Sequence, residues 1–215
     1  DKGYVTCWGA GYAGVQGPTL SDGVSLHANG AVACIIDSSG DINCIGDDMD
    51  GQVSNVPVGP RFTDIRINDA DYSNGLCALD TDGYVQCWGD DNYGVVSQAP
   101  VSTTFTDVAL TDAFACGLTT TGSIECWGTG FSWLPTPAPP NTTSNNIALA
   151  ANKYAVCALS STGEITCSGY QPNLEVDLAP RGDGFVRLFG SMGNFCAATG
   201  AGELECWGSH VREAG

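Results

Sequence analysis

The sequence is poor in positive charge and in long apolar runs. Seven Lys and Arg residues stand against 24 Asp and Glu residues in 215, which gives a formal net charge of -17 at pH 7. Nucleic-acid binding needs clustered basic side chains that displace phosphate counterions, so this acidic composition argues against nucleic acid as a partner. No run approaches the roughly 18 apolar residues of a transmembrane helix, so we expect no membrane insertion.

Motifs for catalysis are also scarce. The two histidines, His27 and His210, are isolated, and no Gly-x-Ser-x-Gly nucleophile motif occurs. Cysteines that are paired in disulfides cannot serve as nucleophiles. We therefore predict that the chain is not an enzyme and that it carries no cofactor.

Cysteine and glycine, in contrast, are abundant. The chain has 11 cysteines and 29 glycines. High cysteine usage is typical of proteins in oxidising compartments, which predicts an extracellular or cell-surface location. The chain begins without an initiator Met or a basic-then-apolar leader, so we expect Asp1 to be a mature or excised start.

The cysteines repeat with a period of roughly 40 residues. Each of six copies ends in a phrase of the form Gly-x-apolar-x-Cys. In the five copies after the first, a second phrase with apolar residues at i and i+2, such as 62–67, comes earlier in the copy. This alternation predicts half-buried strands, and no helical periodicity is found, so the fold is predicted to be all-β. The period matches the blades of a β-propeller. The phrase-ending cysteines are Cys7, Cys44, Cys87, Cys126, Cys167 and Cys206.

Ten of the cysteines form five pairs that are ten positions apart. In the best copy the pattern is symmetric about Asp82, so Cys77 faces Cys87 across a hairpin, within the reach of a disulfide. Zinc is the alternative, but structural zinc sites favour cysteines about two to four positions apart or mixed with histidine. We predict five hairpin disulfides: Cys34–Cys44, Cys77–Cys87, Cys116–Cys126, Cys157–Cys167 and Cys196–Cys206.

The segment 77–94, which reads CALDTDGYVQCWGDDNYG, resembles the core of the regulator-of-chromosome-condensation repeat in its cysteine-paired secreted form. That form is similar to the repeats of crinkly-type plant receptor ectodomains and of bacterial surface propellers. The resemblance implies a β-propeller with four-stranded blades around a central channel. We expect one domain over 1–215 with five to seven blades, incomplete or closed by strand complementation. The tryptophans that follow four of the cysteines are expected to pack between blades.

Cys7 has no partner ten positions earlier in this sequence. It is predicted to be unpaired within the chain, or to pair between molecules. Either upstream sequence supplies the missing strand, or a neighbouring molecule does. In the second case the contact would be head-to-tail, and such contacts produce rings or filaments.

An acidic turn is a candidate calcium site. Asp47, Asp48 and Asp50 are spaced closely enough to supply several of the oxygens that calcium takes. Asp and Gly also satisfy the backbone of tight turns, and the EF-hand spacing is not met after Gly51. We favour the structural turn, so no metal is predicted.

The segment 131–145 is rich in proline and threonine and is predicted to be an exposed inter-blade loop. Asn141 begins the only N-glycosylation sequon. Phe131 and Trp133 either hold this loop on its blade or form an exposed patch that binds a partner.

The leading hypothesis is a non-enzymatic extracellular module with a structural or interaction role, a subunit or fragment of a glycosylated surface fibre or secreted assembly. Its partner would be protein, through self-association or a neighbouring domain of the same chain, with glycans as a further class. The alternative is a lectin-like or protein-ligand-binding propeller, of the receptor-ectodomain or inhibitor type.

Overall fold

The structure, a computed structural model, describes residues 4–5, 20–29, 31–68, 75–130, 145–169, 178–191 and 193–208. These residues form an all-β chain. The strands are β1 (Tyr4–Val5), β2 (Leu20–Ser21), β3 (Gly23–Ala28), β4 (Val32–Asp37), β5 (Ile42–Gly46), β6 (Phe62–Ile67), β7 (Gly75–Asp80), β8 (Val85–Gly89), β9 (Phe105–Leu110), β10 (Ala115–Thr119), β11 (Ile124–Trp127), β12 (Asn146–Ala151), β13 (Ala155–Ser160), β14 (Ile165–Gly169), β15 (Phe185–Ser191), β16 (Asn194–Thr199) and β17 (Leu204–Gly208).

Five three-stranded antiparallel sheets follow one another along the chain. Sheet 1 is β3–β5, sheet 2 is β6–β8, sheet 3 is β9–β11, sheet 4 is β12–β14 and sheet 5 is β15–β17, while β1 and β2 pair separately. The resemblance implied four strands in each blade, and each of these described sheets has three. After β8 the chain folds into consecutive turns, in which the Gln98 N–H donates to the Gly94 carbonyl at 3.1 Å, and it does not extend as a fourth strand.

The same turn joins the second and third strands of every sheet. Its glycine has a positive φ, 87° at Gly83, which side chains rarely adopt. Its first residue is Asp, Thr or Ser, whose side-chain oxygen accepts a hydrogen bond from the N–H four residues later. These acceptor and donor pairs are Asp37 and Asp41, Asp80 and Tyr84, Thr119 and Ser123, Ser160 and Glu164, and Thr199 and Glu203.

A β-bulge interrupts the first strand of each sheet. The register shifts after the first residue, for instance between Phe62 and Asp64 in β6. Because of the extra residue, the buried side chains of β6 are Phe62 and Ile65, at i and i+3. In β15 the same shift exposes Val186 and buries Leu188, although both are apolar and two residues apart.

The core consists of apolar layers between consecutive sheets. We call the side of a sheet that carries the disulfide its disulfide face. The disulfide face of each of the first four sheets packs against the opposite face of the next sheet. Between sheets 1 and 2, Cys34 and Ile36 pack against Phe62, Ile65 and Trp88.

The first strands of the five sheets converge. Residues at the ends of β3, β6, β9, β12 and β15 line one cavity of about 260 Å³. Its lining includes Asn29 beside sheet 1 and Ser191 in sheet 5. Sheets whose first strands face a common cavity have the arrangement of propeller blades.

Candidate functional site

The five predicted disulfides are confirmed. Each bridges directly opposed residues of a hairpin, and the paired Cα atoms are 4.0 to 4.1 Å apart. The predicted register is confirmed as well, since Cys77 is opposite Cys87 and Leu79 is opposite Val85. The ten cysteines are therefore structural.

The tryptophans of sheets 2, 3 and 5 pack between sheets, as predicted. Trp88, Trp127 and Trp207 are all buried. Trp88 Nε1 donates to the Gln52 carbonyl and Trp127 Nε1 donates to the Val95 carbonyl, each at 2.9 Å. Each acceptor lies in the turns that follow the preceding sheet, so the indole joins neighbouring sheets and is not a platform for a ligand.

Several predicted site residues lie outside the described residues. These are Cys7, Phe131, Trp133 and Asn141, with 131–144 of the proline-rich segment. Intermolecular pairing, partner binding and glycosylation at these positions stay predictions.

The acidic turn after sheet 1 uses its carboxylates within the turn. Asp48 Oδ1 accepts hydrogen bonds from the N–H groups of Ser54 and Val53, both at 2.8 Å. These bonds hold the pKa of Asp48 below its ordinary value of 3.8. Asp47 Oδ1 accepts from the Met49 N–H at 3.2 Å, and Asp50 Oδ2 accepts from Gln52 Nε2 at 3.2 Å. Asp47 and Asp48 thus support the local backbone, and Asp50 supports the Gln52 side chain.

The turn after sheet 2 repeats this arrangement with Asp91. Its Oδ1 accepts from the N–H groups of Val96 and Ser97, at 2.8 and 3.0 Å. Partial burial raises the pKa of Asp91, but the hydrogen bonds from Ser97 and Val96 outweigh it and leave that pKa below 3.8.

A charged network ties the first strands of successive sheets together. Arg66 Nη1 donates to Asp64 at 2.7 Å, Nη2 donates to Asp107 at 2.9 Å, and Nε donates to the Val108 carbonyl at 2.9 Å. Asp107 Oδ2 in turn accepts from the Leu149 N–H at 3.0 Å. Arg66 and Val108 also line a cavity of about 250 Å³ between the first strands of sheets 2 to 5. Arg66 joins sheet 2 to sheet 3 and Asp107 joins sheet 3 to sheet 4, so the network serves structure.

Sheet 5 differs from the other four because its disulfide face is exposed. We call this surface the terminal face; it consists of Phe189, Cys196, Ala198, Leu204 and Cys206. Leu204 is 69% exposed and Phe189 is 49% exposed. The apolar layers formed by the described residues do not include any of these five side chains.

The hydrogen bonds of the turn glycines also distinguish sheet 5 from the other four sheets. The carbonyls of Gly40, Gly83, Gly122 and Gly163 each accept a hydrogen bond from the first N–H of the next sheet, at 2.7 to 3.3 Å. At Gly202, the equivalent position in sheet 5, nothing lies within 4 Å of where a Cβ would stand. Among the described residues, none occupies the docking position that the next sheet fills elsewhere.

At the other end of the row, sheet 1 exposes part of the complementary surface. Leu26 stands at the position that Ile65, Val108, Leu149 and Leu188 hold in the later sheets. Those four side chains are buried, and Leu26 is 52% exposed. The sequence did not indicate either surface, because the apolar pattern of the first and last copies is the same as that of the internal ones.

The fold is that of propellers built from regulator-of-chromosome-condensation-type repeats, as the sequence resemblance suggested. The CRINKLY WD40 ectodomain of the Arabidopsis thaliana receptor kinase ACR4 is similar to 89% of this chain, with a TM-score of 0.73 and 22% identity. The ectodomain of the Physcomitrella patens receptor kinase CR4 is similar to 88% of it, with a TM-score of 0.68 and 22% identity. Yeast RCC1 (Prp20) is similar to 86%, with a TM-score of 0.64 and 15% identity.

The chain covers 66%, 51% and 56% of these three structures, respectively. No protein-family model and no curated protein sequence matches it. Within the described part of the chain, we find no helix of the length and apolarity needed to cross a membrane.

Proposed function

We propose that the chain is a non-enzymatic extracellular interaction module that self-associates head to tail through the terminal face. One observation carries this proposal. Four of the five disulfide faces are each covered by the opposite face of another sheet, and the fifth, with the same kind of apolar surface, is exposed. An exposed apolar surface of this kind marks an interaction site.

The occupant that we propose is sheet 1 of a second copy. In each internal layer, the residue equivalent to Leu26 packs against the disulfide face of the sheet before it, as Ile65 and Leu188 do. Leu26 is itself half-exposed, so one copy presents both halves of such a layer. A contact between two different surfaces of the same molecule is heterologous and continues into rings or filaments.

The remaining parts of the proposal are consistent with the chemistry of the chain. Five disulfides support an oxidising, extracellular environment. The similar structures include receptor ectodomains, and yeast RCC1 was crystallised bound to a protein, Kap60. The proposal also includes a glycan on Asn141 and an intermolecular disulfide through Cys7. Intact mass spectrometry tests both: a glycan adds mass under reducing and non-reducing conditions, and an intermolecular disulfide gives a dimer mass under non-reducing conditions alone.

The central experiment substitutes Leu204, the most exposed apolar side chain of the terminal face. Burial of a leucine side chain contributes about 1.5–3 kcal/mol. We therefore expect the wild type to self-associate in light scattering or sedimentation, and Leu204→Glu to weaken that association at least about tenfold. Leu26→Glu should have the same effect, because it alters the other half of the contact.

Val101→Glu is the matched control. Val101 is 91% exposed, lies outside both surfaces and should leave the association unchanged. A wild type that stays monomeric at high concentration would overturn the proposal and would assign the terminal face to a different protein or to another part of a longer polypeptide. Equal weakening by Val101→Glu would also contradict it.

A further inference from the structure

A small, partly open cavity lies where sheets 2 and 3 meet. Its volume is about 10 Å³, which is about the space for one water molecule or one small ion. The polar residues that line it include Asn68 beside β6, Asp90 after β8, and Thr111 and Asp112 after β9. Two acidic residues from different sheets, Asp90 and Asp112, therefore line the same small cavity.

Asp90 is the residue that points to a ligand. It is 8% exposed, and its Oδ1 accepts a hydrogen bond from the Asn92 N–H at 2.8 Å. Its other oxygen, Oδ2, is buried and has no hydrogen-bond partner. A buried carboxylate oxygen without a donor or cation is costly, so the free energy of the fold favours a positive group at this position.

The second carboxylate has a cation nearby. Asp112 is 9% exposed, and its Oδ2 is 3.7 Å from Lys153 Nζ in sheet 4. Among the described residues, no ion pair balances the negative charge of Asp90.

The next interface lacks this pair of acids. Three positions after the second cysteine, Asp90 of sheet 2 is replaced by Thr129 in sheet 3. Four positions before the first cysteine, Asp112 of sheet 3 is replaced by Lys153 in sheet 4. The repeat therefore does not require carboxylates at these positions, and their joint presence between sheets 2 and 3 is a local feature.

Oxygen ligands of this type suit calcium. Ca²⁺ takes about six to eight oxygens from carboxylates, amide and backbone carbonyls and hydroxyls, and tolerates irregular geometry. The lining residues offer the two carboxylates and the Asn68 side-chain amide oxygen. No group of three or more His, Cys, Asp or Glu side chains that could hold a metal ion is found among the described residues, so neutral oxygens would complete the shell.

We propose that this cavity binds one Ca²⁺ ion, held by Asp90 and Asp112, and that the ion ties sheet 2 to sheet 3. Sheet 2 supplies Asp90 through the turn after its third strand. Sheet 3 supplies Asp112 through the turn after its first strand. This site is separate from the acidic turn at Asp47, Asp48 and Asp50.

The test compares thermal unfolding of the full chain in EDTA and in CaCl₂. The wild type should bind one Ca²⁺ per chain in titration calorimetry, and its Tm should rise with Ca²⁺ because the ion binds the folded state. In Asp90→Asn the side-chain oxygen that accepts from Asn92 is kept and the charge is removed. We expect this variant to lose the Tm rise and to bind Ca²⁺ at least tenfold more weakly.

Asp47→Asn is the matched control, since Asp47 holds the same repeat position after sheet 1 and does not line the cavity. Its Ca²⁺ response should equal that of the wild type. Terbium luminescence sensitised by Tyr93, which lines the cavity, reports binding independently of stability. A wild type with no Ca²⁺ or Tb³⁺ response, or an Asp90→Asn variant with an unchanged one, would overturn the proposal.

Discussion

At the scale of single residues, the packing inside a sheet depends on which of two neighbouring residues, one on the first strand and one on the second, has the smaller side chain. The Phe105 ring of β9 lies over Gly117 of β10, where an added Cβ would be 2.3 Å from the ring. In sheet 1 the sizes are reversed, since Gly23 begins the first strand and Ile35 fills the space beside it. The large residue on one strand therefore requires the small residue on the other. The sequence of a single copy does not show this dependence.

Gly117→Ala is expected to destabilise the fold by about 1–3 kcal/mol, because the new methyl group displaces the Phe105 ring in a packed core. Gly23→Ala is the control: its Cβ would meet Ile35 at 3.4 Å, an ordinary contact, and should cost much less. Denaturant unfolding measures both changes. Partial recovery in Gly117→Ala combined with Phe105→Leu would support the mechanism, whereas equal losses for the two alanine variants would contradict it.

At the scale of elements, the five hairpins are alike in sequence and differ in their surroundings. Strands, turns and disulfide pairs were predictable because their signals are local: a glycine, an alternating strand and a cysteine ten positions from its partner. The bulge in each first strand was not predictable, since it changes which side chains are buried without changing the apolar content. The covering of each disulfide face was not predictable either, because it depends on the sheet that follows.

Two variants that each lack one disulfide distinguish the stability due to loop closure from the stability due to side-chain burial. Cys116→Ala with Cys126→Ala, and Cys196→Ala with Cys206→Ala, open loops of the same length, so the entropic loss is the same, somewhat under about 3 kcal/mol. Cys116 is buried against sheet 4, and Cys206 is exposed. The first pair should therefore cost about 1–2 kcal/mol more, because it also leaves a cavity. Unfolding free energies that fall equally in both variants would show that burial contributes nothing.

At the scale of the whole molecule, sheets 1, 2 and 3 are joined along their first strands by a chain of polar and charged side chains. His27 of sheet 1 is 3.6 Å from Asp64 of sheet 2, which pairs with Arg66, and Arg66 reaches Asp107 of sheet 3. Burial lowers the pKa of His27 below its ordinary value of 6.5; Asp64 opposes this shift and Arg66 adds to it. The fold thus favours neutral imidazole.

A pH dependence of stability follows from this lowered pKa. Below pH 6.5 the unfolded chain takes up a proton at His27 that the folded chain does not, so stability is complete above pH 6.5 and declines as the pH falls towards the lowered pKa. His27→Gln should remove this part of the decline. Urea unfolding of both proteins above and below pH 6.5 measures the difference, and parallel pH profiles would refute the assignment.

The sequence predicted the class of fold and the order of its parts, because a repeated pattern needs a repeated structure. It did not predict the terminal face or the cavity at Asp90. Leu204 and Asp90 occupy ordinary positions of the repeat, and their exposure or burial depends on which neighbouring sheet is present. Both features arise from how the sheets pack together, so the sequence of one repeat does not reveal them.

The separate apolar layers between sheets also have a mechanical consequence. A pulling force along the chain would reach one layer at a time, because each sheet of this row packs mainly on the sheets beside it in sequence. When a layer ruptures, the disulfide of the released hairpin keeps the residues between its two cysteines from extending. The molecule would lengthen in short, limited steps and would keep the shape of each hairpin for re-docking, as suits a protein under repeated strain.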